Sequence, residues 1–335
     1  MRLPTRQIGP FTVSSIGLGC MNLSHAYGAP PSPEDGARLL NHALDLGVTF
    51  LDTAALYGAG RNEELVAKAV GHRRAEFTLA SKGVLALDDG KRVLDGSPQA
   101  LRWMIDRSLA RLGTDHIDLY YLHRLDPNVP IEESVGELAR AKAAGKIGAI
   151  GLSEMSAATI RRAHGVHPIA AVQSEYSPMV RNPEVAVLDT CRELGIGFVA
   201  FSPVTRGLLA GAVIDDAYEQ GDIRLSMPRF LEPNLSHNLE GVRRFNALAS
   251  ELGMAPAQLS LAWVLHQAPH IVAIPGTRSI AHLEENVGAA AVTLDRSVIA
   301  HIDAIFAGQA IQGARYPAAA QAQIDTELLP NEALA

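Results

Sequence analysis

Cysteine is nearly absent from this chain, with only Cys20 and Cys191 among 335 residues. Two thiols so placed form neither a disulfide framework nor a metal-ligand spacing, and they suit a reducing compartment. Long apolar runs are missing as well. No stretch approaches the roughly 18 apolar residues needed to cross a bilayer, and the opening MRLPTRQIGP has no apolar signal core. There is no basic block, and the net charge is −7. That balance argues against nucleic acid or an anionic membrane as the main partner, while leaving room for a local phosphate pocket. Gly17-Leu18-Gly19 is followed by no third glycine at the required place, so the dinucleotide fingerprint of an open α/β sheet is not there. No paired histidines at helical spacing suggest a metal. These absences predict a soluble, cytoplasmic protein whose partner is a small molecule, with homo-oligomer formation left open.

What is present is a globular composition, 47% hydrophobic and 19% charged. Short apolar runs alternate with helical spacing along most of the chain. Residues 1–14 read as a hairpin that leads into a first strand at Ser15–Gly19. The next strands are Val48–Leu51, Phe77–Ala80, Ile117–Leu122, Ile147–Leu152, Ile169–Val172, Gly197–Phe201 and Ile271–Ile274. Helices follow them. Pro33 onward is stopped by Gly47, and Ser97-Pro98 opens a helix ended by Gly113. Further helices are expected at 62–70, 132–144, 157–164, 183–194, 239–252, 256–266 and 279–289, with an extra one at 296–306. Trp263 reads as core. Eight buried strands, each followed by a helix, predict a parallel sheet closed into a (β/α)8 barrel, one domain over 1–335. The Gly- and Pro-rich stretch 202–238 is long enough to be a functional loop. The tail 309–335 has no periodic pattern.

In such barrels chemistry lies at the C-terminal ends of the strands. Asp52, Lys82 and His123 end the second, third and fourth strands, and Ser153 and Gln173 end the next two. Successive members of the first three lie about 30 and 40 residues apart, one βα unit each. They should therefore share one rim, with Tyr57 on the loop above. A phenol has a pKa of about 10 and is a poor acid at neutral pH. A nearby ammonium lowers it, and Asp52 anchors that ammonium. Tyr57 then serves as general acid, with His123 orienting a carbonyl oxygen. Other readings stay open at this point: Asp52 as a turn cap, Lys82 as a Schiff-base lysine, His123 as a metal ligand.

These residues resemble the aldo-keto reductase superfamily, and the likeness covers nearly the whole chain. It is carried by FLDTAALYGAGRNEELVAKAV (50–70), LASKG (79–83), IDLYYLHRLDP (117–127), GKIGAIGLSE (145–154), AVQSEYSP (171–178), GIGFVAFSPVTRGLLAG (195–211) and IPGTRSIAHLEENVGA (274–289). MNLSHAYG (21–28) and Met227-Pro228-Arg229-Phe230 resemble the auxin-induced and perakine-reductase-like branch. The resemblance implies a catalytic tetrad of Asp52, Tyr57, Lys82 and His123 and a nicotinamide cofactor across the barrel mouth. It implies that Gly19, Cys20, Met21 and Asp52 adjoin the cofactor and that Ser153 and Gln173 hold the carboxamide. Phe201 would stack on the nicotinamide where many relatives carry Tyr. Ser202, Val204, Arg206 and Gly207 would line the pyrophosphate, Gly276, Thr277 and Arg278 the 2′-phosphate, and Glu285 and Asn286 the adenine. Arg278 favours NADPH over NADH. LASKG and AALYG depart from the commoner ATKFG and ADVYG, and His282 stands where relatives carry Gln or Arg. Met21, Tyr27, Tyr57, His123 and Arg124 are expected at the substrate, with Leu56 and Tyr176 as further contacts. The activity implied is NADPH-dependent reduction of a carbonyl. The alternative is an NADP(H)-sensing protein like the relatives that serve as channel β subunits.

Overall fold

The computed structural model describes residues 3–88, 91–211, 213, 215–307, 311–330 and 332. Of the segments read from sequence, residues 1–2, 212, 214, 309–310, 331 and 333–335 lie outside the described residues. Eight parallel strands form the central sheet: β3 (Leu18–Gly19), β4 (Phe50–Asp52), β5 (Thr78–Gly83), β8 (Ile117–Leu122), β9 (Ile147–Ser153), β10 (Ile169–Glu175), β11 (Gly197–Phe201) and β12 (Ile271–Ile274). Their spatial order is their chain order. The ring closes where the Gly17 amide donates to Ala273 (2.8 Å), Ala273 to Ser15 (3.1 Å) and Gly19 to Pro275 (3.1 Å). The expected barrel is the observed one.

Helices α1 (Pro33–Asp45), α2 (Arg61–Val70), α3 (Pro98–Leu112), α4 (Ile131–Ala143), α5 (Ala157–Val166), α6 (Val187–Leu194), α8 (Pro256–Gln267) and α9 (Ile280–Gly288) surround the sheet. Serine caps open several of them. The Ser32, Ser97 and Ser156 hydroxyls accept from the amides of Asp35 (3.1 Å), Ala100 (3.3 Å) and Thr159 (3.3 Å). Each satisfies an amide that has no partner within the helix. Trp263, on α8, is fully buried as expected.

Strand parity sorts the apolar residues into two cores. Leu18, Leu51, Leu79, Tyr120, Ile150, Val172 and Phe198 face the helices. Phe50, Ala80, Leu119, Tyr121, Ala149, Ala171, Val199, Val272 and Ile274 fill the barrel interior. The antiparallel hairpin β1 (Thr5–Ile8) and β2 (Phe11–Ser14) adds Ile8 and Val13 to that interior cluster, against the N-terminal ends of the strands. Small residues make space for the large ones. A Cβ on Gly151 would lie 2.3 Å from Tyr121, and one on Gly17 2.8 Å from Phe50.

Several boundaries differ from the sequence reading. The first strand is confined to Leu18–Gly19, with only a bridge at Ile16, because Ser15 and Gly17 bond across to β12 instead of extending along β4. α6 begins at Val187, after a separate turn at Asn182–Glu184. A second hairpin, β6 (Leu85–Asp88) and β7 (Lys91–Leu94), stands unanticipated between β5 and α3. The long loop is broken by short 3-10 turns and gives way at Asn234 to α7 (Asn234–Glu251), where Leu235 and Asn238 are buried. The additional helix is α10 (Arg296–Ile305), and the tail carries α11 (Ala318–Gln321). Among the described residues, no helix is long and apolar enough to cross a membrane.

The interior packing predicts that Gly151→Ala, a single added methyl against the Tyr121 ring, destabilises the barrel by about 1–3 kcal/mol. A denaturant midpoint indistinguishable from that of the parent chain would show that the interior is less tightly filled.

Candidate active site

At the last inward position of most strands the apolar interior gives way to polar groups. Asp52 lies two residues after Phe50, Lys82 after Ala80, His123 after Tyr121, Gln173 after Ala171 and Phe201 after Val199; Ser153 follows Gly151 in the same way. The parity that builds the core thus aims six side chains at one mouth. They line a cavity of about 870 Å³, except Lys82, which is completely buried behind Asp52 and Tyr57.

Lys82 is the centre of this group. Its Nζ donates to Asp52 Oδ1, to the Thr53 carbonyl (2.9 Å) and to the Tyr57 hydroxyl (3.2 Å). The second oxygen of Asp52 accepts from Gln173 Nε2 at 2.8 Å. Burial opposes the charge on Lys82, yet Asp52 and Tyr57 outweigh it and hold the ammonium above its ordinary pKa. Tyr57 does not behave as the sequence reading expected. Burial raises the phenol above 10, and the opposing pull of Lys82 is smaller. The hydroxyl therefore holds its proton through neutral pH. His123 stands edge-on to Tyr57, with ring centres 5.9 Å apart. Burial, followed by the charges of Arg124, Lys82 and Arg92, holds His123 well below its ordinary value, so its imidazole is neutral. Its Nδ1 is buried with no partner among the described residues.

The loop carrying Tyr57 is held by polar groups that the sequence reading passed over. It turns through the left-handed region at Gly58, Ala59 and Gly60. Asn62, fully buried, accepts from Thr53 Oγ1 (2.6 Å) and donates to the Cys20 carbonyl (2.8 Å) and Ser24 Oγ (3.0 Å). Glu63, equally buried, accepts from Ser81 Oγ and Arg111 Nε, both at 2.6 Å. Residues 62 and 63 are therefore clamps on the loop that carries Tyr57.

The structure brings nearly all the other expected residues to the cavity wall. Gly19, Met21, Tyr27, Leu56 and Arg124 line it, as do Ser202, Val204, Arg206, Gly207, Gly276, Thr277, Arg278, Glu285 and Asn286. Cys20 does not, since its thiol is buried against the Leu18 carbonyl. Tyr176 is also turned away. It packs on Phe198 and Trp263 and donates to Glu184 at 2.7 Å, so it is core rather than a substrate contact. In the loop after β11, Ser202, Thr205 and Arg206 all adopt positive φ, between 48° and 54°. Strain of this kind collects at sites where function dictates the backbone.

A buried ionic network was missed from sequence. Arg315, from the pattern-poor tail, donates to Glu154 at 2.8 and 3.2 Å, and Thr326 Oγ1 donates to the same carboxylate at 2.9 Å. Arg206 Nη2 reaches Glu175 (3.2 Å) and the Tyr316 hydroxyl (2.9 Å). Glu154 directly follows Ser153, and Glu175 lies two residues after Gln173. The network thus ties the tail and the β11 loop to the strand ends beneath the cavity. Carboxylates placed just past two strand ends were the available signal. Tyr316 and Pro317 of the tail join the cavity wall.

A closed parallel barrel thus carries a buried lysine–carboxylate pair under a tyrosine and a neutral histidine at the floor of a deep cleft. Residues 15–307 match the aldo/keto reductase family, and the chain belongs to that family. It is 43% identical to the NADP(+) aldo-keto reductase yakc of Schizosaccharomyces pombe, over 98% of this chain and 100% of that protein. It is also 43% identical to the probable aldo-keto reductase 1 of Glycine max, over 91% of this chain and 89% of that one. Among solved structures, the glycerol dehydrogenase AKR11B4 of Gluconobacter oxydans is similar with a TM-score of 0.83 and 27% identity, each chain covered to 98%. The aldo/keto reductase of Klebsiella pneumoniae in complex with NADP and acetate is similar at 0.73 and 25% identity, covering 94% of this chain and 99% of that one.

Burial opposes the charge of Glu154, but Arg315 above all brings its carboxyl down to about 2 from 4.5. The stability this confers is present above pH 4.5 and is lost as the pH falls toward 2. Glu154→Gln, which leaves Arg315 buried without its main counter-charge, is expected to cost about 3–5 kcal/mol. It should also flatten the acid limb of the stability curve, measured by denaturant titration at stepped pH; an unchanged acid limb would count against the network.

Proposed function

We propose that this chain is an NADPH-dependent oxidoreductase of the carbonyl-reductase or alcohol-dehydrogenase type, reducing an aldehyde or ketone to its alcohol. The observation that carries this reading is the Tyr57 hydroxyl at the cavity floor, hydrogen-bonded by Lys82 and beside a neutral His123. Both thiols are free and buried, which suits the cytoplasm.

The wall of the cavity fits a phosphorylated dinucleotide. It runs from Tyr57 and His123 past Phe201 to Gly276, Thr277 and Arg278 just before α9, and to Glu285 and Asn286 in the last turn of that helix. Arg278 donates to the Ala29 carbonyl (2.5 Å) and has no carboxylate partner among the described residues, so its charge is available to a phosphate. The α9 N-terminus beside it favours an anion further. The yakc relative is named for NADP(+), and the Klebsiella structure holds NADP. Bound here, NADPH supplies the hydride.

The chain's own residues handle the proton. Tyr57 donates its proton to the carbonyl oxygen as that oxygen gains charge, and the neutral His123 donates a ring N–H to the same oxygen. Lys82 stabilises the phenolate left behind. Asp52 keeps Lys82 charged and in place, and Gln173 orients Asp52 through its second oxygen. Solvent at the cavity mouth then restores the Tyr57 proton.

Tyr57→Phe is expected to lower turnover by about 10²–10⁴, while NADPH fluorescence titration gives nearly unchanged binding. A variant as active as the parent would remove Tyr57 from the mechanism. A purified chain that oxidises NADPH with no aldehyde or ketone would remove the reading altogether. The pH profile carries a further expectation. The reduction needs the protonated phenol, and burial raises Tyr57, so the rate should stay level through neutrality and fall only above pH of about 10. Alcohol oxidation, which needs the phenolate, should climb over that same range. A reduction rate already lost by pH of about 8 would contradict the raised phenol.

A further inference from the structure

This inference rests on the reading of the site as a carbonyl reductase. Five arginines line the cavity: Arg92, Arg124, Arg206, Arg224 and Arg278. Two are matched by carboxylates, Arg206 by Glu175 and Arg224 by Asp222. Arg278 lies at the far end, where the 2′-phosphate is expected. The other two stand at the catalytic end. Arg92 comes from the β6–β7 hairpin, and Arg124 directly follows His123. Neither has a carboxylate partner among the described residues.

Asp52, on the same wall, has both oxygens taken by Lys82 and Gln173, and Glu154, on which the charge of Arg124 also acts, is held by Arg315 and Thr326. Arg124 is fixed through Nη1, which donates to the His123 carbonyl (2.6 Å) and to Ser153 Oγ (3.3 Å). Its Nε and Nη2 have no acceptor among the described residues. The two cations act on each other and on the site. Partial removal from water lowers Arg92, and the charge of Arg124 lowers it further. Beside them the Tyr316 hydroxyl accepts from Arg206, which leaves its own proton to donate. Two guanidinium groups with no carboxylate partner among the described residues thus line one cavity, in a chain whose net charge is −7. Like charges gathered in a cleft are unfavourable unless an anion joins them, and guanidinium donors match carboxylate and phosphate oxygens in pairs.

We propose that the substrate is an anionic carbonyl compound whose carboxylate or phosphate group sits between Arg92 and Arg124 while its carbonyl oxygen meets Tyr57 and His123. Arg124 positions the anion from the fixed wall, and Arg92 closes on it from the hairpin. Discrimination between charged and neutral carbonyls then resides in these two residues.

The test uses the full chain saturated with NADPH and two matched substrate pairs. One is para-carboxybenzaldehyde against its methyl ester; the other is glyceraldehyde phosphate against glyceraldehyde. The charged member of at least one pair should show a kcat/KM about tenfold or more above its neutral partner, mainly through KM. That advantage should shrink as salt is added. The pair with the larger ratio identifies the anion as carboxylate or phosphate. Arg92→Gln, at an exposed position of the hairpin, should bring that ratio close to one, and Arg92→Lys should restore part of it. Neutral partners favoured or equal in both pairs would overturn the inference while leaving the reductase reading intact, as would a ratio unaffected by Arg92→Gln. Turnover of neither pair, with NADPH bound, would remove the reductase reading and this inference with it.

Discussion

A lysine ammonium with no access to water governs this structure. Taking Lys82 and Asp52 out of solvent is unfavourable unless each remaining lone pair and proton finds a partner. Here the Thr53 carbonyl, Tyr57 and Gln173 provide them. The requirement reaches outward. Thr53 is held by Asn62, Asn62 by the Cys20 carbonyl and Ser24, and Ser81 by Glu63. A buried ion pair thus fixes the loop that bears Tyr57 and the first turn of the helix behind it. Well-packed apolar residues would make a comparable or more stable barrel, so the pair is better understood through what it does to Tyr57 than through stability.

The same two-residue period that separates the barrel interior from the helix layer also ends six of the eight strands on a side chain aimed at the cavity. This explains how much could be read from the chain alone. Buried parallel strands appear as short apolar runs, and a polar residue closing such a run, as in Phe50-Leu51-Asp52 or Tyr121-Leu122-His123, is conspicuous. The barrel and the rim were legible for this reason. The hairpin of Leu85–Asp88 and Lys91–Leu94 was legible in principle, since Asp89-Gly90 is a hairpin turn signal. It was hidden by lying between two units of a regular pattern. The start of α7 was masked by Asn234, Ser236, His237 and Asn238, polar residues of which Asn238 is buried through hydrogen bonds instead of apolar contact.

The rest was not legible because it depends on burial and on long-range pairing. Lys82 and Tyr57 were correctly expected to meet, but the net effect on the phenol is set by desolvation, which sequence does not reveal. Arg315 lies in a stretch with no apolar period, since its segment is held by ion pairs to Glu154 and Glu175. Tyr176 sits next to residues that line the cavity and reads as a contact, yet its ring belongs to the packing under Trp263.

The hairpin at the start of the chain has a consequence for traffic. Ile8 and Val13 stopper one end of the barrel, so the space above Asp52 and Tyr57 has a floor and opens on the other side. Whatever enters that space must leave by the side it came in, so a stopper at one end of the barrel sets the direction of passage at the other.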